Sequence, residues 1–171
     1  MRQTQERGGW CWAAVAAMVF SHYDAAVTQE QIVFRHFGAL IDRRITGSAL
    51  THLMNKVWID ASGNPFTSSA RVDDPYAGQF EVPAIDMVVA DLANNHPMIL
   101  GADGHMVVLV EVHYEQAADG ALRVTGGTVI DPEKGQGVRP LRSAELRPNY
   151  IASIRVEPLG SFERIAPRLL D

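Results

Sequence analysis

The order of the sequence patterns predicts an α+β domain, in which helices come first and an antiparallel sheet follows. Segments typical of helices occupy most of the chain up to about residue 95, and short runs rich in valine and isoleucine, separated by turn residues, follow them. A chain of 171 residues can form one domain with a substantial core. We therefore expect a single domain over 1–171, with a helical part over about 1–95, a sheet part over about 96–157 and a tail over 158–171.

The first two helices are predicted from apolar content and from capping residues. The segment Trp12–Tyr23 is apolar on nearly all sides, which is typical of a helix buried in the middle of a domain. Thr28 and Gln31 have the spacing of a capping box, which opens a second helix. Gly38 follows, and glycine is typical of the position just after a helix, so we expect this helix to be short.

Two further helices are predicted, with an irregular stretch between them. Ser48 could cap a third helix over Ala49–Val57, and Pro83–Asn95 has proline near the first turn, as many helices do. Residues 59–80 contain prolines, glycines and scattered polar residues. We interpret this stretch as a long irregular connection, and such connections often border binding sites.

The second part of the chain contains short runs with the composition of β-strands. The longest is rich in valine and apolar on both faces for much of its length. Turn residues such as Asp119-Gly120 separate the runs, which favours an antiparallel arrangement. The predicted strands are Pro97–Leu100, His105–Tyr114, Leu122–Thr125, Thr128–Asp131, Val138–Leu141 and Tyr150–Val156.

The composition excludes several classes of protein. Hydrophobic residues make up 47% and charged residues 20% of the chain, which is typical of a globular protein and not of a disordered one. The net charge of −5 and the absence of a lysine- or arginine-rich run argue against nucleic acid as a partner. A single cysteine excludes an internal disulfide and the zinc sites built from several cysteines. No apolar run reaches the roughly 18 residues that a membrane span requires.

One alternative concerns the N-terminus. Met1-Arg2 followed by the apolar run Trp10–Phe20 could be interpreted as a secretory signal peptide. The positive segment is weak because Glu6 offsets one of its two arginines, and Val19-Phe20-Ser21 is not a good cleavage site. We therefore expect no signal peptide here, and we keep Cys11 as part of the functional chain.

The single cysteine is a candidate nucleophile because of where it lies. Cys11 follows the polar loop Gln5–Gly9 and precedes an apolar helix, so its thiol is expected at the helix N-terminus. Free N–H groups and the positive end of the helix dipole favour the thiolate, which is the form that attacks carbonyl carbons. The alternative is that Cys11 is a small buried core residue, as free cysteines often are.

Three other residues complete a candidate cysteine-protease site, in which an imidazole shuttles the proton and another group orients the ring. His105 begins the longest predicted strand after Asp103-Gly104, where it could face a cleft. Asp131 ends a nearby strand before proline and could accept the hydrogen bond from Nδ1–H of His105. The side-chain amide of Gln5 could donate to an oxyanion together with the backbone N–H of Cys11. Alone, each residue also fits an ordinary loop or turn position.

Together these residues resemble the papain-like cysteine peptidases. The similarity lies in Gln5 six residues before Cys11, in the helix start Cys11-Trp12-Ala13-Ala14, in the strand Gly104–Val108 and in the turn Val129–Pro132. Within that superfamily the chain is most similar to the compact bacterial branch, which includes avirulence-effector peptidases and bacteriocin-leader peptidases. The resemblance covers roughly residues 3–156.

The resemblance implies a papain-like two-lobe fold, with an N-terminal helical lobe, a C-terminal antiparallel β-sheet lobe and the active site between them. It implies that Cys11 is the nucleophile, His105 the general base and acid, Asp131 the orienting group and Gln5 the oxyanion donor. The implied partner is a protein or peptide substrate, and the implied location is the cytoplasm or, for a secreted effector, outside the producing cell. Only four residues precede Gln5, so we expect no leader in this chain.

Two alternatives to a peptidase remain open at the level of sequence. On the same fold, an acyl transferase or cross-linking enzyme would replace water with an amine or a thiol. A catalytically inactive papain-like domain would bind peptides without cleaving them. We predict no metal and no cofactor, because the other histidines are scattered without a paired metal-ligand spacing.

Overall fold

A computed structural model describes residues 2–73, 85–118, 120 and 122–160 of the chain. It confirms the α+β class: helices pack against one antiparallel sheet of seven strands. Among the described residues, no helix has the length and apolar character that crossing a bilayer requires.

The first helix, α1 (Cys11–His22), lies in the centre of the molecule. Every residue from Cys11 to Phe20 is buried, as the uniformly apolar segment predicts. Its alanines let the neighbouring elements approach closely, and α1 packs against both the second helix and the sheet. The apolar run considered as a signal peptide is therefore the core helix of this fold.

The second helix, α2 (Gln29–Phe37), has the predicted caps. The Thr28 hydroxyl accepts from the backbone N–H of Gln31 at 3.1 Å, and the Gln31 side chain accepts from the Thr28 N–H at 2.9 Å. Gly38 ends the helix in the left-handed conformation, with φ of 71°, which glycine adopts without strain.

The third helix, α3 (Gly47–Met54), begins and ends earlier than predicted. Thr46, and not Ser48, is the N-cap, and its hydroxyl accepts from the N–H of Ala49 at 3.2 Å. The helix ends at Met54 because the following residues pair into a strand. The fourth helix, α4 (Ile85–Ala93), agrees with the predicted segment, whose first residues lie outside the described part of the chain.

The sheet has the order β1-β2-β7-β3-β4-β5-β6, and every neighbouring pair is antiparallel. The two predicted strands on either side of Gly126-Gly127 form one strand in the structure. The strands are β1 (Lys56–Ile59), β2 (Pro65–Asp73), β3 (Met98–Ala102), β4 (His105–Gln116), β5 (Leu122–Asp131), β6 (Gly137–Pro140) and β7 (Tyr150–Pro158).

The prediction of an irregular connection over 59–80 was wrong for residues 65–73, where β2 forms. Residues 60–64 do form an irregular connection, and 74–80 lie outside the described residues. Strand β2 pairs with strand β7 over eight positions, from Phe66 opposite Pro158 to Asp73 opposite Ile151. Phe66 and Ser68 are buried, which gives β2 the period-2 pattern of a strand. The serine and threonine content hides this pattern, and a partner more than 70 residues away in sequence cannot be recognised locally.

Both faces of the sheet are covered by helices. Ile99, Val108 and Ile130 belong to the larger apolar cluster that surrounds α1. Their neighbours along the same strands face the opposite way and form a second cluster with Val88 of α4. Because α1 is held against the sheet in this way, the start of the helix and the ends of the central strands have fixed relative positions.

Candidate active site

Cys11 is the first residue of α1, and its thiol lies at the positive end of the helix. It is a free cysteine, and only 3% of its surface is exposed. Trp10 precedes it without a side-chain cap, so the first N–H groups of the helix have no capping side chain to bond. This environment is the one expected from the sequence.

His105 is the first residue of β4, and a two-residue turn holds it there. Asp103 and Gly104 both have positive φ, of 50° and 72°, which is the geometry of the tight turns that match the twist of a hairpin. Ala102 and His105 are the last paired residues of β3 and β4. The turn therefore fixes His105 at the end of the sheet, beside the start of α1.

Asp131 is the last residue of β5 and lies next to His105. Its Oδ1 is 2.7 Å from Nε2 of the histidine. The expectation that Nδ1 of His105 would bond this carboxylate was wrong, because the ring turns Nε2 toward Asp131. Nδ1 is then the nitrogen available to the Cys11 thiol.

The protonation of His105 depends on both neighbours. A hydrogen bond with Cys11 is the largest influence, and together with the hydrogen bond and negative charge of Asp131 it outweighs burial and raises the pKa of His105 to about 9. The imidazole is therefore mainly protonated at neutral pH. The structure thus brings together three of the four residues singled out in the sequence.

The Asp131 carboxylate is fully buried and completely hydrogen-bonded. Oδ1 also accepts from the backbone N–H of Glu133 at 2.8 Å, while Oδ2 accepts from Nε and Nη2 of Arg139 at 2.9 and 2.7 Å. Burial would raise the pKa of Asp131, but these hydrogen bonds and the one from His105 hold it below its usual value. Asp131 is therefore ionised at neutral pH.

Arg139 and Glu145 belong to the same network, and sequence reasoning missed both. The guanidinium donates to Glu145 from Nη1 at 2.8 Å and from Nη2 at 2.6 Å. Arg139 lies opposite Val129 in the β5–β6 pair, so its side chain shares a face with that of Asp131 two residues further on. An arginine in the middle of a predicted strand was the one available signal.

Gln5 lies between the loop before Cys11 and the loop after Asp131. Its backbone N–H donates to the Pro132 carbonyl at 2.8 Å. Its Nε2 donates to the carbonyls of Arg7 and Gly8 at 3.1 and 3.0 Å, and its buried Oε1 has no hydrogen-bond partner. The amide N–H groups are thus directed at the nucleophile loop in this structure.

A buried glutamine holds this N-terminal segment in place. Gln29, of which 2% is exposed, accepts from the Glu6 N–H at 3.0 Å and donates to the Thr4 carbonyl at 2.9 Å. The Gln5 backbone is thus fixed on both sides. In the sequence Gln29 looked like an ordinary first-turn residue of α2.

The two tryptophans around Cys11 fix one wall of a cleft. The indole N–H of Trp10 donates to the Ile41 carbonyl at 2.8 Å, and that of Trp12 donates to the Arg43 carbonyl at 2.9 Å. Gly9 lies so close to Arg43 that an added Cβ would be 2.9 Å from its backbone. These contacts hold residues 41–43 against the nucleophile loop.

The cleft beyond this wall has a volume of about 450 Å³ and is lined by both Cys11 and His105. Residues 44–48 form one side, and Gly101, Gly104 and Tyr150 form the other. A Cβ on Gly47 would overlap the Tyr150 ring, so the two sides are in close contact at that end. An extended peptide could lie in such a cleft with its carbonyl carbon at the Cys11 sulfur.

One group of side chains in the described residues has the spacing of metal ligands. Atoms of His105, Asp131 and Glu133 all lie within 4.8 Å of one another. Each carboxylate oxygen of Asp131 already accepts two hydrogen bonds, and the positive charge of the Arg139 guanidinium beside them would repel a metal cation. The donor set therefore does not fit a metal, and we assign none to it.

The stability of the protein should decrease as His105 loses its proton. The ordinary pKa of histidine is 6.5 and that of folded His105 is about 9, so the contribution is complete below about pH 6.5 and is lost as the pH rises through 9. In urea denaturation, the free energy of unfolding of the wild type should fall more steeply over this range than that of His105→Gln. Equal pH dependence of the unfolding free energy in the two proteins would contradict a raised pKa for His105.

Comparisons with known proteins agree with the fold. The family described as "Papain-like cysteine protease AvrRpt2" matches residues 1–140, a stretch that contains Cys11, His105 and Asp131. No curated protein sequence matches the chain.

Several solved structures are similar to this one, and they include the following two. The peptidase domain of Streptococcus ComA, a bifunctional ABC transporter involved in a quorum-sensing pathway, has a TM-score of 0.53 at 16% identity, over 92% of this chain and 97% of that chain. UfSP from C. elegans has a TM-score of 0.46 at 12% identity, over 92% of this chain and 32% of that chain. At this identity the ComA domain shows a shared fold. With 140 of 171 residues matched by the family, the chain belongs to the AvrRpt2 family of papain-like cysteine proteases.

Proposed function

We propose that this cysteine protease hydrolyses peptide bonds with Cys11 as nucleophile, His105 as general acid and base, and Asp131 as the group that orients the imidazole. The observation that carries the proposal is the position of the His105 ring, which hydrogen-bonds to Asp131 at 2.7 Å and to the Cys11 thiol. A nucleophile, a base and a third group that fixes the base are the combination that covalent peptide hydrolysis requires.

The first half of the reaction uses the protonated imidazole. With its pKa at about 9, His105 carries a proton at neutral pH and stabilises a thiolate on Cys11. The thiolate attacks the carbonyl carbon of the scissile bond and forms a tetrahedral intermediate. Nδ1–H of His105 then protonates the leaving amine, which departs and leaves a thioester on Cys11.

The second half regenerates the enzyme. Neutral His105 accepts a proton from a water molecule through Nδ1, and the resulting hydroxide attacks the thioester. Collapse of the second tetrahedral intermediate releases the carboxylic acid and restores the Cys11 thiolate. Asp131 keeps Nε2–H bonded throughout, so the same nitrogen faces the substrate in both halves.

For the oxyanion we propose the backbone N–H of Cys11 together with the side-chain amide of Gln5. The helix N-terminus supports the first donor, since its N–H groups and dipole favour negative charge. The fixed backbone of Gln5 beside the nucleophile loop supports the second. To serve as donor, one Gln5 N–H must exchange its loop carbonyl for the oxyanion during the reaction.

We also propose that residues 1–171 act as one domain with a protein or peptide substrate. The shared sheet supports this organisation, because β1 and β2 from the first part of the chain and the five strands from the second part form one sheet, in which β2 pairs with β7.

Incubation of a peptide library with the protein should produce new termini, and Cys11→Ala should produce none while keeping the same circular dichroism spectrum. His105→Ala should also be inactive, whereas His113→Ala should be active, because His113 is an exposed residue of the same strand that pairs with Glu111. Mass spectrometry detects the new termini produced by the wild type and by each of the three variants. New cross-links or acylated amines without new termini would instead assign an acyl transferase, and activity in Cys11→Ala would rule out the mechanism.

Gln5→Ala should lower kcat by about 100- to 1000-fold with little change in KM, because an oxyanion donor acts in the transition state. Gln3→Ala is the matched control, since Gln3 lies in the same segment. Steady-state kinetics on one cleaved peptide gives both constants, and thermal unfolding shows whether the loop is still folded. A decrease of less than about 5-fold would restrict Gln5 to holding the loop.

A further inference from the structure

The carboxylate that contacts His105 is one end of a buried chain of alternating charges. Asp131 bonds Arg139 through two N–H groups, and Arg139 bonds both oxygens of Glu145. The side chains of Asp131, Arg139 and Glu145 are 0%, 11% and 7% exposed. Charges this deeply buried are costly unless each is paired, so the three residues depend on one another.

The far end of this chain is held by backbone geometry. Glu145 lies in a single 3-10 turn, Ser143–Leu146, and its Oε2 accepts from the backbone N–H of Arg142 at 2.7 Å. The backbone N–H of Glu145 in turn donates to the Arg142 carbonyl at 2.9 Å. Because Glu145 is fixed by the backbone, it can fix Arg139, and Arg139 can fix Asp131.

We propose that Arg139 and Glu145 are positioning residues of the proteolytic site, which hold the Asp131 carboxylate and set the net negative charge that it presents to His105. The proposal rests on the assignment of His105 and Asp131 under the proposed function. Neither Arg139 nor Glu145 is assigned contact with the substrate, and both act through Asp131.

The sign of each contribution follows from charge. The Arg139 cation offsets the Asp131 anion and so weakens its attraction for the imidazolium proton, while Glu145 offsets part of the Arg139 charge. Other ionisable groups near the ring are the Cys11 thiol on α1, Glu133 in the loop after β5 and Arg44 in the cleft wall. The half-exposed Arg142 lies 4.0 Å from Asp131 and completes the set. Among the described residues, only the Arg139 guanidinium hydrogen-bonds both Asp131 and Glu145.

The test replaces each charge by a neutral side chain of similar shape. In Glu145→Gln, loss of the anion should lower the midpoint of His105 titration by on the order of one pH unit, and in Arg139→Gln loss of the cation should raise it by a similar amount. Arg142→Gln is the matched control, because it removes an exposed cation beside the same carboxylate and should change the midpoint by less than about 0.3 pH unit. The measurement is NMR titration of the His105 ring nitrogens.

Shifts of opposite sign in the two variants would support the proposal, and Glu145→Asp should return the midpoint toward the wild-type value. Unchanged midpoints in folded variants, or shifts in the same direction, would overturn it. If Arg139→Gln does not fold, the Glu145→Gln variant still tests the proposal, because its His105 midpoint must decrease. Because the NMR titration needs no turnover, it separates this proposal from the proposed function: a protein with these shifts that cleaves no peptide contradicts only the latter.

A separate observation concerns the substrate. Arg44 is exposed in the cleft wall, and its Nη1 lies 3.2 Å from where a Cβ on Gly104 would be, next to His105 in sequence. Among the described residues Arg44 makes no hydrogen bond or ion pair, and the Asp42 carboxylate two residues earlier accepts from the Gly9 N–H at 2.7 Å. Among the residues that line the described cleft, Arg44 is the one Lys, Arg, Asp or Glu side chain.

We infer that Arg44 binds an acidic side chain of the substrate close to the scissile bond. This also rests on the proposed function. A guanidinium without a protein partner offers paired N–H groups to a carboxylate, and the protein's net charge of −5 gives an acidic peptide no general attraction elsewhere.

A peptide library randomised around the cleavage site tests this inference. The wild type should preferentially cleave peptides with Asp or Glu at one position, and Arg44→Glu should prefer Lys or Arg at that position. The matched control, Arg43→Glu, should keep the preference of the wild type. Fluorescence anisotropy with Cys11→Ala proteins and an acidic peptide or its amide analogue repeats the comparison without turnover. With Arg44 present, the amide analogue should bind at least about 5-fold more weakly than the acidic peptide. The Arg44→Glu substitution should remove this difference. Equal selection and equal binding of acidic and neutral peptides would overturn the inference.

Discussion

The burial of α1 is the constraint on which the site depends. The helix is enclosed by the sheet and α2 along almost its whole length, so Cys11 cannot move unless the core moves. His105 begins one strand and Asp131 ends another in the sheet against which α1 packs. The distances among these three side chains are therefore consequences of core packing and not of flexible loops. A proteolytic site built in this way is preorganised before substrate binds.

Charge is the second organising factor, and it is almost entirely local in sequence. Asp131, Glu133, Arg139 and Glu145 lie within fifteen residues of one another. Asp131 and Glu133 lie beside the His105 ring, and Arg139 and Glu145 extend the network from Asp131. A carboxylate neutralised by a guanidinium presents less net charge than a free one, while still accepting a strong hydrogen bond. The imidazole thus gains a fixed orientation, and the burial cost is distributed over several partners.

The parts of the site that sequence alone predicts are those with local signals. Cys11 begins an apolar helix, His105 begins a valine-rich strand and Asp131 ends one, so each has a recognisable place in its element. Arg139 has its role through a cross-strand neighbour, and such pairing depends on register, which no local pattern reveals. The same reason explains the missed strand β2, whose partner β7 lies far along the chain. The ring nitrogen that faces Asp131 depends on a side-chain rotation, which sequence does not encode locally.

The place of β7 in the sheet has a consequence for the order in which the molecule can assemble. It is the last described strand in the chain, yet it lies between β2 and β3 and joins the two halves of the sheet. Its first residue, Tyr150, also packs against Gly47 at the wall of the cleft. During synthesis the ribosome must therefore release residues 150–158 before the sheet can close around α1. Until that moment a nascent chain contains Cys11, His105 and Asp131 but lacks Tyr150, so these residues do not yet share a completed cleft.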